Sequence, residues 1–240
     1  MADSVPATID IDALVDQQRA FFRSAATLPR DYRLRALSTL SAAILSREEA
    51  ITDALRSDLG KGAFETYASE IALVYEEIRH TGRNLRRWMR PERVSTPIVH
   101  APARSRIVRR PRGVSAVLSP WNYPFQLALA PLVASIAAGN CTILKPSEAA
   151  PATSHVIAEM IREHFDEAYL ACVEGGGDLA ARLTAAEVDH IFYTGSTRVG
   201  RIVMRTAAER LVPVSLELGG KSPAIVGPTA RIDVDRKSVV

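Results

Sequence analysis

One carboxylate, Glu217, closes an apolar, β-branched run and stands directly before Leu218-Gly219-Gly220. An acid delivered by a strand to a glycine turn sits where open α/β sheets bind ligands, and glycine lets backbone approach a ligand with no Cβ in the way. The same acid could instead pair with a nearby cation such as Lys221. Asn122, in Ser119-Pro120-Trp121-Asn122, offers an amide NH₂ that can donate to a developing oxyanion, or can cap the helix opened by Pro124. Lys145 and Glu148 follow an apolar strand. An acid there can accept both hydroxyls of an adenosine ribose and repel a 2′-phosphate, with the lysine as a further donor. The plainer alternative is a solvated loop that places an acid at the start of the next helix. Gly195-Ser196-Thr197-Arg198-Val199-Gly200 leads from a strand into a helix whose first amides suit a pyrophosphate, although glycine-serine turns commonly cap helices for no such purpose.

The elements that must position these groups can be read from periodicity and turn residues. Helices are expected over Asp12–Ala26, over the Leu34–Leu55 repeat that stops at Gly60, and over Thr66–Met89, which Pro91 ends. Pro97–His100 and Ser105–Val108 flank Ala101–Arg104 and read as a hairpin. From Gly113 the pattern changes to alternation. Strands are expected at Val114–Leu118, Cys141–Leu144, Tyr169–Val173, Asp189–Tyr193, Val212–Leu216 and Ala224–Val226. Helices are expected from Pro124 to Gly139-Asn140 and at Pro151–His164, Ala180–Leu183 and Thr197–Ala208. Such alternation implies a mostly parallel sheet covered on both faces. The GxGxxG fingerprint of ordinary dinucleotide folds is absent after the first sheet strand, so a phosphate cradle must lie elsewhere.

Bulk properties narrow the classes. The chain has 240 residues, 47% of them apolar, with mean hydropathy near zero, so it can bury a core. No run approaches the roughly 18 apolar residues of a membrane span, and the acidic N-terminus lacks secretory character, so the cytoplasm is the expected compartment. Cys141 and Cys172 lie in apolar runs and read as small buried side chains. Five scattered histidines show no metal-ligand spacing, so no metal site is expected. Eleven arginines and one acid, Glu92, lie between Arg79 and Arg112. An RNA-binding reading is weakened by the near absence of interleaved aromatics. A solvated helix face followed by a subunit-contact hairpin fits better, and no nucleic-acid partner is expected.

Four ordered segments carry a family resemblance: SPWNYPFQ from Ser119, GNCTILKPSE from Gly139, FYTGSTRVG from Phe192 and LELGGKSP from Leu216. Together they resemble the aldehyde dehydrogenase superfamily over Ala13 to Ala230, nearest to its class 3 and coniferyl-aldehyde branch. The resemblance implies an α/β fold of N-terminal helices (1–96), a β-hairpin oligomerisation arm (97–112), and a Rossmann-like, mostly parallel sheet with helices on both faces (113–234). It implies NAD, with NADP possible, as cofactor. The implied contacts are Trp121, Lys145, Glu148, Thr194, Gly195, Ser196, Val199, Gly200 and Leu218. Asn122 is implied as oxyanion donor and Glu217 as general base, its burial raising its pKa. In the implied chemistry a cysteine thiolate attacks the aldehyde, hydride leaves to NAD⁺, and Glu217 activates the water that hydrolyses the thioester to a carboxylic acid. Aromatic (coniferyl-type) or medium-to-long aliphatic aldehydes are the implied substrates, and a homodimer or homotetramer the implied assembly.

The resemblance places the nucleophilic cysteine beyond the last residue, so the chain as written is expected to be an inactive fragment. A non-catalytic nucleotide-binding or subunit-interaction module is the alternative. Asp235-Arg236-Lys237-Ser238-Val239-Val240 is what GAT CGG AAG AGC GTC GTG encodes, a string matching a common sequencing adapter. Residues 235–240 are therefore expected to be a non-native tail on a natural protein about twice as long.

Overall fold

A computed structural model of the chain describes residues 9–223 and 225–230. The expected 235–240 tail lies outside them. Five strands form one parallel sheet in the order β5-β4-β3-β6-β7: β3 (Val114–Leu118), β4 (Cys141–Lys145), β5 (Leu170–Cys172), β6 (His190–Gly195) and β7 (Val214–Leu218). All residues of β3 and β4 are buried, as an apolar run in a two-sided parallel sheet should be. The chain starts at the centre, travels outward through α6 (Gln126–Ala138) and α7 (Pro151–His164), then returns past β3 through α8 (Gly177–Ala185) and α9 (Thr197–Ala208). Right-handed crossovers put helices on opposite faces when the direction of travel reverses, so α6 and α7 lie on one face and α8 and α9 on the other.

The N-terminal helices complete both layers. On α1 (Ile11–Arg23), buried Gln18 donates to the carbonyls of Thr142 and Glu167, and Arg19 pairs with Asp189 at 3.0 Å. Behind α6 and α7 pack α2 (Arg30–Ser46), α3 (Glu48–Leu59) and α5 (Ala72–Trp88). Arg33 on α2 is buried and donates to the carbonyls of Thr27, Leu28 and Ala137, which ties this layer to the end of α6.

Five expectations need correction. The Leu34–Leu55 repeat is two helices, broken at Arg47 (φ −123, ψ 11), whose side chain reaches Glu159 and Glu163 on α7. Glu48 and Glu49 open α3 where the helix dipole favours acids, and Gly60 stops it in the left-handed region at φ +67. The Thr66–Met89 helix begins earlier, as the short α4 (Ala63–Thr66), and passes through a wide π turn at Tyr67–Ile71 before α5. The hairpin pairs β1 (Glu92–Val94) with β2 (Ser105–Ile107), while Ile98–His100 is a single 3₁₀ turn. Pro97 and Pro102 have no N–H to offer a ladder there, and Thr96 Oγ1 instead accepts from the Ser105 amide at 2.8 Å.

The last strand is the fourth correction. It runs two residues later than expected, because Pro213 cannot donate and precedes it, so Glu217 lies within β7 opposite Thr194. Of the expected Ala224–Val226 strand, Ala224 lies outside the described residues, and Ile225 and Val226 are exposed and not in a strand.

A polar rung crosses the sheet near its amino edge. His190 Nδ1 meets Ser115 Oγ at 3.2 Å and its Nε2 meets Ser215 Oγ at 3.1 Å. Burial, and secondarily the Arg112 charge, hold the imidazole below its ordinary value of 6.5. The native state therefore favours neutral His190, and the unfolded chain takes up the proton first as pH falls. This contribution is intact above the unfolded value and is lost as pH drops through it toward the lower folded one. The urea midpoint should fall between pH about 7.5 and about 5.5, and fall less in His190→Gln. Equal declines in the two proteins would show that this rung is not responsible.

Candidate functional site

The carboxyl ends of β3, β4 and β6 meet where the connections from the central strand part company, the position at which open α/β sheets bind ligands. A crevice of about 490 Å³ opens there. Leu118 to Trp121 form one wall, Lys145, Ser147 and Glu148 a second, and Tyr193 to Ser196 the floor. Ala180, Ala181 and Thr184 of α8 face Val199, Ile202 and Val203 of α9 across an apolar slot.

Lys145 is 3% exposed, and its Nζ donates to the Pro146 carbonyl at 3.0 Å and to Glu148 Oε2 at 2.7 Å. The Glu148 side chain is about half exposed, so the ammonium lies beneath a carboxylate that faces the opening. Burial pushes the Glu148 carboxyl up, but the hydrogen bonds from Lys145 and from backbone outweigh it, and the group sits below its ordinary range. At the floor, a Cβ on Gly195 would come within 2.2 Å of the Tyr193 hydroxyl, so a larger residue would have to push that ring aside. Ser196 caps α9, its Oγ accepting from the Val199 amide at 3.3 Å. The first-turn amides of Thr197 and Arg198 have no intrahelical acceptor and lie beside the crevice.

Seven of the eleven residues singled out from sequence line this crevice: Trp121, Lys145, Glu148, Thr194, Gly195, Ser196 and Val199. Four do not. Asn122 is exposed on the rim beside Trp121 and caps nothing, since α6 begins without a side-chain cap of its own. Glu217 is exposed on the edge strand, so the described residues do not provide the burial anticipated for it. Gly200 and Leu218 face one another: a Cβ on Gly200 would stand 2.7 Å from Leu218 Cδ2, which makes their contact a packing seam between α9 and β7.

Neither cysteine reaches the crevice. Cys141 opens β4 at the amino end, is fully buried, and burial pushes its thiol up to about 12. Burial raises the Cys172 thiol as well. Thiols held protonated in this way are poor nucleophiles.

Two residues packed against the Asn122–Gln126 segment escaped the sequence reading. Glu70 is fully buried and its Oε2 accepts from the amides of Phe125 and Gln126 at 2.9 and 3.1 Å, capping α6 from outside. Lys61, also buried, pairs with Glu70 and donates to the Asn122 carbonyl at 3.2 Å. The available signal was Glu70 itself, an acid four residues before Val74 on the apolar stripe that continues to Ile78 and Leu85. A charge on a buried stripe calls for a partner. Lys61 carries no local mark.

Known proteins share this architecture. The chain is 44% identical over 216 residues to 4,4'-diaponeurosporen-aldehyde dehydrogenase of Staphylococcus aureus, covering 90% of the chain and 47% of that protein. It is 41% identical over 208 residues to human aldehyde dehydrogenase family 3 member B1, covering 87% and 44%. The substrate-bound structure of Staphylococcus aureus AldH superposes with a TM-score of 0.87 at 42% identity, covering 94% of the chain and 49% of that structure. A Mycobacterium tuberculosis aldehyde dehydrogenase complexed with NAD⁺ superposes with a TM-score of 0.79 at 28% identity, covering 88% and 44%. The chain thus spans about half the length of these relatives. The model of the family described as "Aldehyde dehydrogenase family" matches residues 5–240, and the chain belongs to that family.

Proposed function

We propose that the crevice binds a nicotinamide dinucleotide, with NAD as the first choice and NADP accepted, and that the whole protein oxidises an aldehyde to the carboxylic acid. The observation that carries this reading is the convergence of Lys145, Glu148 and the α9 N-terminus on one crevice at the sheet's switch point. Glu148 would accept the ribose hydroxyls, Lys145 would add a donor, and Gly195 with the first amides of α9 would meet the pyrophosphate. The apolar slot between α8 and α9 is suited to a flat base. The bound cofactor would supply the hydride acceptor. Trp121 and Asn122 form the rim on which the aldehyde end of the reaction would lie, with the Asn122 amide as donor to the oxyanion and Glu217 as general base toward water. An aromatic (coniferyl-type) or medium-to-long aliphatic aldehyde is the proposed substrate. The hairpin, with Ile98 and Val99 exposed, is the proposed subunit contact of a homodimer or homotetramer.

Titration calorimetry of the 240-residue chain with NAD tests the cofactor reading. Binding is expected, and Glu148→Gln should weaken NAD about tenfold while shifting the NAD-to-NADP affinity ratio toward NADP. No heat with either dinucleotide would remove the proposal.

Neither cysteine lines the crevice, and burial raises both thiols, which favours a second statement about this chain: by itself it binds dinucleotide without catalysing. Purified chain mixed with NAD⁺ and benzaldehyde or a medium-chain aldehyde should give no NADH absorbance. Sustained turnover would show that a nucleophile had been overlooked.

A further inference from the structure

The loop between β3 and α6 holds Trp121 in the crevice wall and Asn122 beside it, yet it contains Pro120 and Pro124 and opens a helix with no side-chain cap of its own. Its support comes from residues more than fifty positions earlier. Glu70 binds the two first amides of α6 with one carboxylate oxygen and Lys61 with the other, at 2.5 Å. Lys61 Nζ continues to the Asn122 carbonyl at 3.2 Å and stands 4.0 Å from the centre of the Tyr123 ring. One ion pair therefore grips positions 122, 123, 125 and 126 together.

We propose that the buried Lys61–Glu70 pair is a positioning device that sets the Trp121–Asn122 wall of the crevice. Two charges taken out of water repay their desolvation poorly, so such a pair is weakly explained by stability alone. Here every remaining hydrogen bond of the pair is spent on one loop. Glu70 lies in the π turn at Tyr67–Ile71, and wide turns of this kind recur at functional sites. A lysine and a glutamate separated by eight residues thus act through Trp121 and Asn122 without themselves lining the crevice.

The affinity arm of the test rests on the dinucleotide reading; the fluorescence arm does not. In a Trp88→Phe background Trp121 is the sole tryptophan. Lys61→Met, Glu70→Gln and the double variant are compared at a temperature where circular dichroism shows each to be folded. The double variant carries no unpaired charge and keeps a carbonyl oxygen for the two α6 amides, so it remains informative if a single variant does not fold. Expected are increased quenching of Trp121 by acrylamide and NAD binding weakened about tenfold, the loss that follows from a site no longer preorganised. A folded double variant with the parent's Trp121 quenching overturns the proposal. So does a lowered melting temperature with quenching and NAD affinity unchanged, which is the behaviour of a merely structural pair. Failure of the Trp88→Phe parent itself to bind NAD would strike the dinucleotide reading instead, and Trp121 quenching would still decide for or against the pair.

Discussion

Arg33→Ala is expected to lower the unfolding free energy by about 3–6 kcal/mol, measured by urea denaturation. The guanidinium is buried, and its Nε, Nη1 and Nη2 donate to the carbonyls of Thr27, Ala137 and Leu28 at 2.9, 2.9 and 3.0 Å. Each buried acceptor left without a donor costs about 1–3 kcal/mol; the Thr27 and Ala137 carbonyls are orphaned in buried surroundings, and the Leu28 carbonyl loses its donor in a partly exposed one. Lysine at this position should recover only part of the loss, because an ammonium cannot reproduce the planar fork that meets three carbonyls. A companion substitution checks the geometry. Gly139 ends α6 at φ +90, and a Cβ there would lie 2.6 Å from Arg33 Cζ. Gly139→Ala should therefore be costly in the native background. In Arg33→Ala the collision is gone and only the left-handed backbone penalty of about 1–2 kcal/mol remains. Strictly additive losses in the double variant would contradict this account.

Glu70→Ala should destabilise the chain by about 3–5 kcal/mol, the range for removing one partner of a buried ion pair. The substitution strands the Lys61 ammonium, whose side chain is 8% exposed, and leaves the Phe125 and Gln126 amides without their acceptor. Glu70→Gln should cost clearly less, since one oxygen can still accept from those amides. Replacing Lys61 and Glu70 together by methionine and glutamine should cost less than the sum of the single changes, because no lone charge stays buried. Chemical denaturation of the four proteins gives the cycle. A Glu70→Ala penalty below about 1 kcal/mol would mean that water reaches the pair and that it is not buried in solution.

The parallel α/β architecture, both boundaries of α7 and of α9, and seven residues of the crevice were legible from residue order alone. These depend on short-range physics: the change from helical to strand period after Gly113, proline at the start of α7, the serine cap of α9, and motifs in which a strand end and the next helix start are contiguous. Family membership was legible for the same reason, since its four segments are each continuous.

The partners of the buried charges and the pairing of the arm emerge only in the folded chain. Glu70 and Phe125 are separated by 55 positions and Arg33 and Ala137 by 104, so no local pattern marks them. In the hairpin and the last strand, prolines displaced the ladder by removing N–H donors. A periodic pattern fixes which side of an element is apolar. Only packing decides which distant charge or carbonyl that side must meet, because desolvation penalises every buried polar group that finds no partner.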